Sequence, residues 1–221
     1  MKVTVQSVLF QIVIICSLLV LNCSDQPNAG GTTDTGNARV AAVIYTHDGL
    51  RAAGVKVTIS PADFLPVIDS DADSGSSQLK EYFTDDSGTF KIPDIDEGKY
   101  VIEANDDNYS AVQLNITVWA SDSQTISLND TLQPYSTITG NAGILKDTSD
   151  SRYILIYGSS RIIPIENDGS FVIEKLPEGI FHLKIVSESG SVASIELDSV
   201  KTFSSQIVTI PLAVDIIPKL P

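Results

Sequence analysis

Two histidines, two cysteines, one tryptophan and one methionine are all that the 221-residue chain holds of those residue types. That scarcity narrows its chemistry. A zinc centre needs three or four His, Cys or carboxylate ligands in register, and neither His47 nor His182 stands in a His-Glu-x-x-His or His-x-x-Glu arrangement. No Gly-x-Ser-x-Gly turn and no phosphate-cradling glycine loop occurs either. Positive charge is short as well, with 14 Lys and Arg against 28 Asp and Glu and a formal net charge of −14. Nucleic-acid binding requires clustered Lys and Arg to displace counterions, and the chain has no such cluster. Beyond the first residues no window sustains a 3.6-residue apolar period, so helix is expected to be close to absent. No cofactor is expected.

What is present begins with Lys2 and an apolar run from Val8 to Leu21, broken only by Gln11 and Ser17. At about 14 residues the run is shorter than the roughly 20 a helix needs to cross a bilayer, which predicts a signal peptide over residues 1–22 that is removed. The run ends in Leu19-Val20-Leu21-Asn22-Cys23. That sequence resembles the lipobox of bacterial lipoproteins, with Asn22 where those proteins prefer Gly, Ala or Ser. The resemblance implies cleavage before Cys23 and attachment of lipid to its sulfur. The alternatives are ordinary signal-peptidase cutting, which wants small residues that this stretch lacks, and an idle cysteine. Cys16 would leave with the signal, so the mature chain could form no internal disulfide, although export would place it where disulfides persist.

Residues 23–36 are dominated by Ser, Asp, Asn, Gly and Thr, too little apolar surface to offset the cost of ordering, and are read as a flexible tether. Removing residues 1–22 takes away one of the 14 bases and no acid, leaving 13 against 28 and a formal charge of −15. The plain reading of such acidity is a solvated, soluble surface.

Past the tether, apolar residues recur at alternate positions, as in Val55-Lys56-Val57-Thr58-Ile59, Phe90-Lys91-Ile92 and Tyr100-Val101-Ile102-Glu103-Ala104. This is the period of half-buried strands. His47-Asp48-Gly49, Asp86-Ser87-Gly88 and Asn167-Asp168-Gly169 mark turns between them. Short strands without helical crossovers predict an all-β chain of antiparallel sheets packed face to face.

The segment Gly88-Thr89-Phe90-Lys91-Ile92 and Ile95-Asp96-Glu97-Gly98-Lys99-Tyr100 has a counterpart 81 residues on, in Gly169-Ser170-Phe171-Val172-Ile173 and Leu176-Pro177-Glu178-Gly179-Ile180-Phe181. A period of that length is a domain length, which predicts two tandem β-sandwiches over 37–133 and 134–215, with a tail at 216–221. Each repeated block reads as a hairpin. Gly98 and Gly179 are expected at positive φ, with Tyr100 and Phe181 as cross-strand neighbours of Phe90 and Phe171.

Gly54-Val55-Lys56-Val57, Thr84-Asp85-Asp86-Ser87-Gly88-Thr89-Phe90-Lys91-Ile92 and Ile95-Asp96-Glu97-Gly98-Lys99-Tyr100 together resemble the carboxypeptidase regulatory-like domain. That resemblance implies a seven-stranded, transthyretin-like sandwich and a non-catalytic accessory role. The second half keeps the later motif, but Tyr153-Ile154-Leu155-Ile156-Tyr157 replaces the Gly-Val-x-Val opening.

Three features are candidate sites. Asp69, Asp71 and Asp73 alternate as in the first half of a calcium loop, but Gly75 and Glu81 each fall one position late for an EF-hand, and a solvated insertion is the plainer account. Trp119 is either a sugar-stacking aromatic or, by the greater weight, a partly buried residue closing a strand end. His182, between Phe181 and Leu183, is expected to face solvent. The function expected from all this is an exported, lipid-anchored envelope protein, with no enzyme activity, serving as a spacer or protein-interaction module. A module binding carbohydrate or another envelope polymer is the alternative, and an enzyme built on an unrecognised carboxylate pair a distant third. Its partners would be the membrane, through Cys23, and an envelope protein or polysaccharide. Ser24, where a retaining Asp would otherwise stand, points to the outer membrane by analogy with enteric bacteria.

Overall fold

In the computed structural model, described over residues 39–68, 78–120, 124–143, 150–190 and 193–210, the alternating segments become fifteen strands and no α-helix. In chain order they are β1 (Val40–Tyr45), β2 (Lys56–Pro61), β3 (Lys80–Phe83), β4 (Thr89–Ile92), β5 (Gly98–Asn105), β6 (Ser110–Val118), β7 (Ile126–Thr131) and β8 (Gln133–Pro134). After Tyr135 come β9 (Ser136–Asn141), β10 (Arg152–Ile156), β11 (Ile162–Ile165), β12 (Ser170–Leu176), β13 (Gly179–Ser187), β14 (Ile195–Thr202) and β15 (Ile207–Ile210). The signal run, Cys23, the tether, the Asp69, Asp71 and Asp73 cluster and the C-terminal tail lie outside the described residues.

The chain is all-β. Sheets ordered β4-β1-β7 and β3-β2-β5-β6-β8 enclose one core, and sheets ordered β12-β9-β15 and β11-β10-β13-β14 enclose another. The first core draws on residues from Val40 to Leu132, among them Phe90, Ile92 and Ile102, and the second on residues from Ile138 to Ile185, among them Phe171, Leu176 and Leu183. Period-two burial produces this: along β13, Phe181, Leu183 and Ile185 are buried while Ile180 and His182 are exposed. Both sandwiches belong to one compact unit.

Most pairings are antiparallel, with one parallel pair in each sandwich, β1 with β7 and β9 with β15. The first and last long strands of a sandwich can lie side by side and parallel because the rest of the sandwich serves as the long connection that parallel strands require.

The repeated block is not a hairpin. β4 pairs with β1 in one sheet and β5 with β2 and β6 in the other, so the chain crosses from sheet to sheet between Ile92 and Gly98. β12 and β13 divide in the same way. Tyr100 therefore packs on the core that holds Phe90 as a member of the opposite layer, and Phe181 and Phe171 do likewise. Alternation cannot distinguish a strand that returns in its own sheet from one that faces it.

The glycine expectation also shifts. Gly98 has φ +155°, but Gly179 is not among the positive-φ residues; the demanding positions are the turn glycines Gly88 (φ +69°) and Gly169 (φ +86°). A Cβ on Gly88 would stand 2.6 Å from the Ile44 carbonyl oxygen, and one on Gly169 would stand as close to the Gly143 carbonyl oxygen as 2.4 Å.

The Thr-Asp-x-x-Gly motif is explained by the turn it builds. The buried Thr84 hydroxyl donates to the Ala52 carbonyl at 2.5 Å and accepts from the Val55 amide at 2.9 Å, tying the corner before β2 to the end of β3. Asp85 Oδ1 accepts from the Ser87 hydroxyl at 2.6 Å and from the Ser87 and Thr89 amides at 2.9 Å each, and these bonds hold its carboxyl below the ordinary value. Asp106 caps the β5–β6 turn through the Asn108, Tyr109 and Ser110 amides and the Ser110 hydroxyl. Burial pushes its pKa up, but the hydrogen bonds together outweigh burial and leave it lowered.

Two outcomes follow. Thr84→Val strands a buried carbonyl and amide and should cost about 1–3 kcal/mol in denaturant unfolding; a loss near zero would show the corner to be held otherwise. Asp106→Asn should be less stable than the parent at neutral pH by about 1 kcal/mol. Because the folded pKa of Asp106 is depressed, its contribution is present above the unfolded carboxylate value and lost as pH falls through the folded one. The gap between the two proteins should therefore close on acidification below about pH 4, and a gap constant down to pH 2.5 would contradict the assignment.

Candidate functional site

Tyr135 alone separates β8, in the first sandwich, from β9, in the second. It is held at both ends: its amide donates to the Tyr109 carbonyl at 3.0 Å and its hydroxyl to Asn105 Oδ1 at 2.5 Å. Burial first, then the nearby carboxylates Asp106, Asp107 and Glu103, push its pKa up to about 12, so the hydroxyl keeps the proton it donates.

Beyond this link the sandwiches meet through the loop after β10. The Gly158 amide donates to the Phe64 carbonyl at 2.9 Å, and the buried Ser60 hydroxyl donates to the Gly158 carbonyl at 2.5 Å. Gly158 has φ +71°, and a Cβ on it would lie 2.6 Å from Val101 Cγ2 of β5. Three residues on, Arg161 forms a two-pronged ion pair with Glu103, Nη2 to Oε1 at 2.6 Å and Nη1 to Oε2 at 3.1 Å, with side chains only 21% and 19% exposed. Nη2 also donates to the Lys175 carbonyl at 3.2 Å, which anchors the guanidinium in the second sandwich. A fork of this kind fixes direction as well as distance.

Beside the lock lies a cleft of about 890 Å³. Its first wall is the end of β2 and the corner into β5: Pro61, Ala62, Asp63 and Asp96 to Tyr100. The second is the outer face of the β10-β13-β14 layer, with Tyr157, His182, Glu196 and Asp198. Strand register brings the second set together, since the Tyr157 amide donates to the His182 carbonyl at 3.0 Å and Lys184 lies opposite Glu196 across β13 and β14. The Tyr157 hydroxyl donates to Glu196 Oε1 at 3.1 Å, Lys184 Nζ pairs with the same oxygen at 3.0 Å, and His182 Nδ1 lies 3.1 Å from Asp198 Oδ1. Hydrogen bonding to Glu196 raises the Lys184 pKa, and burial followed by the Glu196 bond raises that of Tyr157. On the first wall, the Tyr100 hydroxyl donates to the Asp96 carbonyl at 3.2 Å, and burial, then the Asp96 charge, raises its pKa.

The cleft thus presents neutral phenol hydroxyls and carboxylate acceptors on both sides. A His-Asp pair is present, but the lining includes no serine, threonine or cysteine for it to activate. Among the described residues no group of three or more His, Cys, Asp or Glu could hold a metal ion.

Of the residues singled out by sequence, His182 is exposed, as its strand position implies, and it also lines the cleft. His47 is exposed in the turn after β1. Trp119 corrects the expectation of partial burial: it is 64% exposed, because Ile116 and Val118 point inward and the next residue turns out past the last rung of the β5–β6 ladder. Its carbonyl accepts from Arg39 Nη2 at 3.3 Å, and it does not line the cleft. Tyr100, Tyr157, Glu196 and Asp198 were not foreseen; for Glu196 and Asp198 the available signal was their outward register on β14, whereas Tyr100 lies on the core-facing side of β5 and Tyr157 follows the end of β10.

No family model matches the chain, and no curated protein matches it. Among solved structures it is similar to a streptococcal ancillary pilin, at 16% identity over 81% of this chain and 63% of that one, with a TM-score of 0.33. It is also similar to a minor pilin of Streptococcus agalactiae, at 14% identity over 82% of this chain and 98% of that one, TM-score 0.33. A third is the full-length major pilin of Corynebacterium diphtheriae, at 10% identity over 73% of this chain and 65% of that one, TM-score 0.30. The chain spans less than two thirds of the length of the ancillary pilin.

The junction makes a direct prediction. Gly158→Ala forces a side chain against Val101 at a φ that disfavours one, and should cost about 1–3 kcal/mol. Calorimetry should show one cooperative transition for the parent and two for the variant, as the sandwiches uncouple. An unchanged single transition would remove the junction from the account.

Proposed function

We propose that this chain is an exported, non-catalytic module of the bacterial envelope, held to a membrane by lipid on Cys23. Its two sandwiches, with domain limits at 37–133 and 134–215, act as a stiff spacer that carries an interaction surface away from the membrane. The outer membrane is the proposed site, from Ser24 at the position after the lipidated cysteine. The observation that carries the spacer reading is the junction. A one-residue link, a backbone bridge through Gly158 and a two-pronged Arg161–Glu103 pair join the sandwiches where a flexible tandem would have a linker. The apolar run from Val8 to Leu21, followed by Asn22 and Cys23, supports the anchor.

Each half has its own test. Metabolic labelling with a clickable fatty acid should mark the wild-type protein and not Cys23→Ala; an unlabelled wild type rejects the anchor. For the spacer, nitroxide labels at Asp86→Cys and Glu188→Cys in the mature Cys23→Ala chain should give one narrow distance distribution by pulsed electron resonance. A broad distribution means that the sandwiches move independently.

A further inference from the structure

The cleft between the sandwiches differs from the general acidity of the chain. Five of its twelve lining residues are Asp or Glu, against 28 of 221 in the whole sequence, and they stand on two facing walls with a single lysine among them. Two tyrosines and the His182 ring supply flat apolar surface, and Pro61 and Ala62 add more. At about 890 Å³ the space matches an organic ligand of several rings or a comparable chain. The lock at Gly158 and Arg161 holds the walls in place before anything binds, so little ordering cost attaches to occupancy.

We propose that this cleft binds an organic ligand carrying several primary ammonium groups, of the amino-sugar or polyamine kind. A divalent metal would need three donors converging on one point, and no such group exists among the described residues. Ammonium groups spaced along a chain do not need convergence: each meets one carboxylate, Asp63 or Glu97 on one wall and Asp198 on the other, while the body between them lies on Tyr100 and Tyr157. Low-dielectric walls concentrate the negative field inside the cleft and favour the charged amine over a neutral analogue. This inference rests on the docked junction that the spacer reading also uses, and the two fail separately: a broad distance distribution overturns the spacer reading, whereas silent calorimetry on a chain with a narrow one overturns the ligand alone.

Calorimetry on the mature Cys23→Ala protein at low salt tests it with four probes: a glucosamine tetramer, its fully N-acetylated form, spermidine, and calcium chloride. The tetramer, spermidine or both should bind, which distinguishes the two sources, while the acetylated tetramer and calcium should not. The Asp63→Asn, Glu97→Gln double variant should weaken binding roughly tenfold. Asp86→Asn with Glu188→Gln, which removes the same charge elsewhere, should change it less than twofold. Silence with both ammonium probes at millimolar concentration overturns the proposal. Equal binding of the acetylated tetramer, or an equal loss in the two double variants, does so as well.

Discussion

The contact on which the junction turns is the seating of Gly158 against Val101. A residue with a side chain would keep the β10–β11 loop from approaching β5 closely enough for the amide of residue 158 to reach the Phe64 carbonyl and for its carbonyl to meet Ser60. Its neighbours in sequence take their places from it. Tyr157, one residue before, stands on the cleft wall, and Arg161, three after, reaches Glu103. The cleft and the ion pair therefore sit on either side of one glycine. Because the Arg161–Glu103 pair is largely withdrawn from water, losing one partner would leave the other charge poorly solvated, and this makes the pair stronger as a constraint on geometry than as a source of net stability.

Within each sandwich a different constraint operates. Alternating burial sorts the strands into layers, and the parallel pairing of the first with the last long strand, β1 with β7 and β9 with β15, closes each unit upon itself. The repeated Gly-x-Phe-x-Ile and Glu-Gly blocks perform one task twice, carrying the chain from one layer to the other with an aromatic on each side of the crossing. Thr84, Asp85 and Gly88 serve the preceding crossing, between β3 and β4, by filling backbone donors and acceptors and by permitting a left-handed turn. The motif behind the family resemblance thus encodes how the sandwich is folded. It says little about what the sandwich binds, although Asp96 to Tyr100 of the motif also line the first wall of the cleft.

The β architecture was legible in sequence because period-two alternation and Asx-Gly turns are local signals, and His182 could be placed on the outer face by the same rule. Three readings failed for a shared reason. The hairpin, the cross-strand aromatic pairs and the partly buried Trp119 each depended on what a strand meets in space, and alternation fixes only which way a side chain points relative to its neighbours. The cleft was less legible still. It is assembled from residues 61–63, 96–100, 157, 182, 196 and 198, and no local spacing joins those segments. Gly158 carried no mark in the sequence that set it apart from the other glycines.

Bringing two acidic walls together in a chain of formal charge −14 opposes the approach of the sandwiches. At physiological salt such repulsion acts over about 8 Å, so it is felt across a cleft of this size and little beyond it. The interactions that offset it are concentrated on the opposite flank of the contact, in the Gly158 bridge and the Arg161 fork, with Lys184 relieving part of the charge of Glu196 on the cleft side. The arrangement separates the two roles in space. Apolar contact, backbone hydrogen bonds and a shielded ion pair hold the sandwiches together, while the carboxylates of Asp63, Glu97 and Asp198 remain at the surface with their charge available to a third molecule. A cation entering the cleft would diminish the one force that pushes the walls apart, so occupancy and the docking of the sandwiches must reinforce each other.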